Sequence, residues 1–187
     1  MSKLPEPQLI QPTRVDWDDV QAHKSFVASP AYGPFAKHLM TIIDVDIATS
    51  HENINNRISM SHANFEPHPP SAAIARAPVT ERLTLYFLAD ISESDIKSWD
   101  QKFQRFLKVV EENAGAAFKG ASVGWVVEEL DHDDIKGKAK AFTGVIGWES
   151  VEAHIAFTEH PSFKENVGLL REGVEASEMH HVKFEER

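Results

Sequence analysis

The apolar positions fall into blocks whose period changes along the chain. Ile96, Trp99, Phe103, Phe106, Leu107 and Val110 share one face of a helix with about 3.6 residues per turn. Ser92 or Ser94 caps that helix and Gly115 stops it. Before it, Leu83 to Leu88 is dense in Leu, Tyr and Phe and reads as a buried strand. After it, Val123 to Leu130 reads as a strand with Val123, Trp125 and Val127 on one face. Asp131 to Asp134 makes a turn that Gly137 closes, and Lys138 to Gly147 is the next strand. A helix from about Glu149 to Glu172, kinked at Pro161, leads to a last strand from Ser177 to Phe184. The order β-α-β-β-α-β predicts an α+β fold: a ferredoxin-like unit with two helices on one face of a four-stranded antiparallel sheet.

The first third of the chain repeats part of this unit. Trp148-Glu149-Ser150-Val151-Glu152-Ala153-His154 runs on to Phe157, Pro161 and Phe163; Trp17-Asp18-Asp19-Val20-Gln21-Ala22-His23 runs on to Phe26, Pro30 and Tyr32. The close of the unit, Met179-His180-His181-Val182-Lys183-Phe184-Glu185, is echoed by Met60-Ser61-His62-Ala63-Asn64-Phe65-Glu66. The openings lie 131 residues apart and the closes 119, so the early copy is 12 residues longer inside. Two matched ends in one order imply an internal duplication. The early copy reads as a helix capped by Asp16 or Asp18-Asp19, interrupted by Pro30 and Gly33-Pro34 and resumed over Phe35 to Ile43. The polar stretch Thr49 to Asn56 holds the extra residues, and Ile58 to Phe65 is a strand. Leu9-Ile10 is a candidate edge strand in a proline-bearing arm. The expected domains are a partial repeat over 1–66, a proline-rich linker over 67–80 and a complete repeat over 81–187.

Composition narrows the function classes. A net charge of −10 without a Lys/Arg cluster argues against nucleic acid, which needs a basic face. The absence of cysteine excludes disulfides, thiolate metal sites and Cys nucleophiles. No apolar run approaches the roughly 20 residues that span a bilayer, and the start has no signal-peptide core, so a cytoplasmic location is expected. No glycine-rich phosphate loop and no nucleophile elbow is present.

The repeated Trp-x-x-Val-x-Ala-His-x-x-Phe opening and Met-His-His-Val-x-Phe close resemble the dimeric α/β-barrel superfamily. They are closest to its antibiotic-biosynthesis-monooxygenase-like and stress-responsive branches, of the kind abundant in fungi. The resemblance implies two ferredoxin-like units packing their sheets into one barrel-like pair, within one chain or between chains. It spans monooxygenases, cyclases, isomerases, haem-degrading enzymes and proteins without a known reaction. Two departures matter. Polyketide cyclases of this kind carry His-Pro-x-His, whereas this chain has His160-Pro161-Ser162-Phe163 and, earlier, Ser29-Pro30-Ala31-Tyr32. The iron-ligating position of the haem-degrading members falls on Val167 and Ala36. Neither chemistry carries over residue by residue.

The candidates are then few. His181 and its match His62 alternate with Val182 and Phe184, so they point to the opposite strand face. In a barrel that face looks into the space between the sheets, which makes His181 the leading acid/base candidate. His154 and its match His23, near helix starts, read as surface or loop-holding histidines or as a second acid/base group. Tyr86, Trp125, Trp148, Phe163 and His62 are the expected substrate-binding residues, suited to an apolar aromatic or polyketide-like ligand and equally to an ordinary core. Trp148 and Trp17 are expected to head their helices. His132-Asp133-Asp134 reads as a solvated turn, and adjacent His180 and His181 face opposite ways, so neither metal nor cofactor is expected. The expected function is a cofactor-independent enzyme for proton transfer, cyclisation or oxygenation; the alternative is a non-catalytic, stress-associated binding or scaffold barrel. Pairing of the two halves within the chain and a homodimer are the expected assembly.

Overall fold

A computed structural model of the chain describes residues 15, 17–42, 60–70 and 77–183. The chain divides into two compact units, Met1–Ser61 and His62–Arg187.

The first unit contains α1 (Val20–Val27) and α2 (Tyr32–Ile42). Asp19 caps α1, its carboxylate accepting from the Ala22 N–H at 2.6 Å. Pro30 separates the helices as expected, but Gly33 and Pro34 lie inside the first turn of α2 rather than breaking it. Proline is tolerated there because first-turn N–H groups have no intrahelical acceptor. The Leu9-Ile10 strand, the 49–56 loop and the start of the 58–65 strand fall outside the described residues.

The second unit is the ferredoxin-like fold. Its elements are β1 (Val79–Leu88), α3 (Glu93–Asn113), β2 (Phe118–Trp125), β3 (Leu130–Asp131), β4 (Lys138–Trp148), α4 (Val151–Thr158), α5 (Pro161–Asn166) and β5 (Ala176–Val182). The sheet runs β2-β4-β1-β5, all antiparallel, with β3 a short addition to β4. Ala63 and Glu66 bridge to Val126 and Val123, extending the sheet beyond β2. Gly124 makes this approach possible: a Cβ there would stand 1.8 Å from the Asn64 carbonyl oxygen.

The apolar stripe of α3 buries Trp99, Phe103, Phe106 and Val110. They meet one sheet face, where Leu85, Phe87, Val123, Phe142 and Ile146 point. The opposite face carries Tyr86, Val126, Ala139 and Ala141. Three boundaries differ from the expected ones. β1 begins at Val79, because Glu81 and Arg82 are strand residues whose charges disguise the run. β2 spans Phe118–Trp125 with an irregularity between Phe118 and Gly120, so Val127 lies beyond it and is exposed. The expected kinked helix is two helices: α4 ends at Thr158, and His160 caps α5 with Pro161 in its first turn. Trp148 is the last residue of β4, not the head of a helix. Among the described residues no helix is long and apolar enough to cross a membrane.

Candidate functional site

The helix-covered sheet face holds a buried carboxylate. Glu81 shares this face with Leu83, Leu85 and Phe87, following the two-residue strand repeat. It stands opposite Ile146 on β4 and His181 on β5. Only 7% of Glu81 is exposed. Trp148, two residues along β4 from Ile146, donates its indole N–H to Glu81 Oε2 at 3.0 Å.

The first turn of α4 brings His154 to the same place. Ser150 caps α4 by accepting from the Ala153 N–H at 3.1 Å. The cap sets the helix start so that the His154 ring stacks on Trp148, with centroids 4.7 Å apart and planes 19° off parallel. His154 Nε2 lies 3.4 Å from Glu81 Oε2, and its Nδ1 lies 2.8 Å from His181 Nε2. The four side chains form a line from the buried carboxylate to a half-buried imidazole. They do not converge on one point as metal ligands would.

Burial sets the proton affinities. Desolvation pushes the Glu81 carboxyl up to about 7, against the opposing hydrogen bond from Trp148. Burial, and then the neighbouring His181, bring His154 down to about 4. Burial also lowers His181. At neutral pH His154 is therefore uncharged, and its contact with Glu81 is not an ion pair.

Two proton arrangements satisfy every link. With Glu81 ionised, Trp148 and the His154 Nε2–H both point at Oε2, and His154 Nδ1 accepts from the His181 Nε2–H. With Glu81 protonated, its O–H points at His154 Nε2, the His154 Nδ1–H donates to His181 Nε2, and His181 carries its hydrogen on Nδ1. The second arrangement holds one more proton. That proton enters at His181 Nδ1 and reaches Glu81 by successive hops through both rings.

Beside Glu81 lies a cavity of about 240 Å³ between the sheet and the helices. Phe103, Phe106, Val110, Ile146, Phe157 and Phe163 supply much of its apolar wall; Glu81, His154 and Thr158 supply the polar side chains of the wall.

The expected site residues divide. Trp148, His154 and His181 come together, and Phe163 joins the cavity wall, with Phe106 and Phe157 at centroid distances of 5.7 and 5.8 Å. The expected direction of His181 is corrected: it pairs with Glu81 on the helix-facing side, because the α4 imidazole is its partner. Tyr86 sits on the other face, packed on His132 at 4.5 Å, and burial together with Glu178 pushes its phenol up to about 12. Trp125 faces the helices but away from the cavity, its indole N–H donating to Asp100 at 2.8 Å. His62 lies at the sheet margin, where Glu128 accepts from its backbone N–H at 2.8 Å and contacts its ring at 2.5 Å. Glu81 is the residue that sequence reading passes over. Its signal was a lone acid in register with three apolar strand positions.

No family model and no curated protein matches the chain. Solved structures do. A dimeric ferredoxin-like protein of unknown function from Bacteroides fragilis is 13% identical, covers 57% of this chain and 97% of its own, and has a TM-score of 0.40. SnoaB, a cofactor-independent oxygenase from Streptomyces nogalater, is similar at 13% identity, 59% and 97% coverage and a TM-score of 0.40. A protein from Arabidopsis thaliana is similar at 18% identity, 57% and 94% coverage and a TM-score of 0.40. At these values the site is read from this chain's own residues.

Proposed function

We propose that the chain is a cofactor-independent enzyme that moves a proton on a small, neutral, ring-bearing apolar substrate. Glu81 is the acid/base that meets the substrate, and His154 and His181 reload it from solvent. One observation carries the reading: a buried carboxyl that titrates near neutrality faces an apolar cavity. A structural acid on an apolar strand face would be cheaper as Leu, since burying a carboxylate costs several kcal/mol, on the order of 3 or more.

The cavity narrows the substrate. Its 240 Å³ equals the liquid volume of about eight waters and lies below the roughly 300–1,000 Å³ of most ligand pockets. One or two rings fit; a large polyketide does not. No Lys or Arg is among the described lining residues, so a substrate carboxylate or phosphate would meet Glu81 without a counter-charge. Proton removal by Glu81 gives an enolate or another carbanion, from which isomerisation, ring closure or reaction with dioxygen can follow. A homodimer belongs to the same reading, supported by β5 ending the described strand order as an edge. Light scattering at twice the chain mass is the expected result.

The test is exchange of the α-hydrogens of 2-tetralone, a neutral two-ring ketone, in deuterated buffer followed by proton NMR. The chain should accelerate exchange above buffer with a midpoint near pH 7, and Glu81→Gln should remove the acceleration. Exchange at the buffer rate, with no binding of the ketone, would overturn the proposal.

A further inference from the structure

The cavity beside Glu81 runs from the core to an edge of the described sheet. Phe103, Phe106, Val110, Ile146 and Trp148 line its inner part and are buried. Met179 lines the same cavity from β5 and is 48% exposed. Among the described lining residues the others are buried or half-buried, so Met179 marks where the cavity meets solvent.

The strand register fixes what Met179 stands beside. Between β1 and β5, Glu81 is opposite His181 and Leu83 is opposite Met179. Side chains directly opposite in an antiparallel pair share a face, and so do residues two apart on one strand. Glu81, Leu83, His181 and Met179 are therefore neighbours on the helix-facing side. Met179 lies one strand repeat from His181, about 7 Å along β5.

The residue type stands out in its place. Ser177, Glu178, His180 and His181 around it are polar, as suits a strand at the edge of the described order. A half-exposed apolar side chain there gains less from burial than a core residue does. Methionine is unbranched and flexible, and its polarisable sulfur makes favourable contacts with ring edges. Those properties suit a side chain that meets a ring at the cavity mouth. Edge-to-edge pairing of β5 with a second copy would engage backbone groups and leave this side chain on the helix side.

We infer that Met179 sets the length of the substrate. A ketone whose reacting carbon meets Glu81 extends over Leu83, and Met179 meets the outer edge of its second ring. A third ring fused in line collides with Met179. This assignment rests on the Glu81 reading and narrows its substrate class to two fused rings. Met179 determines specificity and takes no part in the proton transfer. An apolar wall discriminates roughly 10–200-fold against a single extra methylene, so a whole extra ring is rejected by at least about tenfold.

The experiment compares 2-tetralone with the same ketone carrying a further benzene ring fused in line. Calorimetry reads binding and deuterium exchange reads kcat/KM, on the full chain, on Met179→Ala and on Met179→Leu. The unsubstituted chain should prefer the two-ring ketone by at least about tenfold in both readings. Met179→Ala should reduce the preference to about threefold or less, through KM and not kcat, and Met179→Leu, which keeps the bulk, should retain it. No preference for the two-ring ketone in the unsubstituted chain, or a preference unchanged in Met179→Ala, overturns the role of Met179 and leaves the Glu81 reading intact. Binding of 2-tetralone without exchange overturns the Glu81 reading, and the ratio of binding constants then decides Met179 by itself. No binding of either ketone overturns both. The first comparison needs no variant, so it holds whether or not a variant folds.

Discussion

Replacing Glu81 by Gln keeps the shape of the side chain and removes its titration. The amide oxygen can take the place of Oε2, which faces both Trp148 and His154, and accept from both N–H groups, so the variant stays uncharged at every pH. In the folded wild type the carboxyl rises from 4.5 to about 7, which corresponds to about 3 kcal/mol. Because the folded value is the higher one, the folded chain keeps a proton that the unfolded chain releases between these two pH values. The stability from the neutral carboxyl is fully present below pH 4.5 and is lost as pH rises through 7. Urea unfolding of wild type and Glu81→Gln from pH 4 to 9 isolates this group, since the other titrations largely cancel in the difference. The difference should be flat below pH 4.5. It should then move in favour of the variant by up to about 1.4 kcal/mol per pH unit and level off above 7, after a total of about 3 kcal/mol. A difference flat across the whole range would refute the argument, because Glu81 would then titrate alike folded and unfolded. It would also remove the basis for its acid/base role.

Three further outcomes follow from other parts of the molecule. The ring nitrogens of His154, followed by NMR, should show a protonation midpoint near 4, and a midpoint near 6.5 would show that burial does not control this ring. Phe103→Ala removes a ring packed between Trp99 and Phe142 and should destabilise the chain by about 3–5 kcal/mol in urea; less than about 1 kcal/mol would mean that α3 does not anchor the core. Gly124→Ala drives a Cβ into the Asn64 carbonyl and should separate residues 63–66 from β2. Faster amide exchange at Glu66 and Val123 and a loss of at least ~1 kcal/mol are expected, and unchanged exchange would sink the idea.

Much of the architecture was legible because its signals are local. The α3 stripe from Ile96 to Val110 states its helix and its buried face within 15 residues, and the structure buries Trp99, Phe103, Phe106 and Val110 of it. The β-α-β-β-α-β order follows from such blocks, and the Trp-His repeat announces two similar helix starts. The errors were local too. The sequence pattern predicts a kink at Pro161, but a proline at the first position of a helix costs nothing, so His160 and Pro161 start a new one. Gly33-Pro34 likewise predicts an interruption, yet both residues lie in the first turn of α2.

The site was a different matter. Trp148 and Glu81 stand 67 residues apart, and His154 and His181 stand 27 apart. Sequence by itself determined which side chains carry the polar chemistry, and through the strand period it set Glu81 among apolar neighbours. Only the tertiary structure decided that β1 and β5 pair Glu81 with His181, and that α4 sets His154 over Trp148. It alone placed this cavity between sheet and helices. The physical reason is that a carboxyl's proton affinity and a ring's hydrogen-bond partners depend on what surrounds them. That surrounding is assembled from segments far apart in the chain, where no local pattern records it.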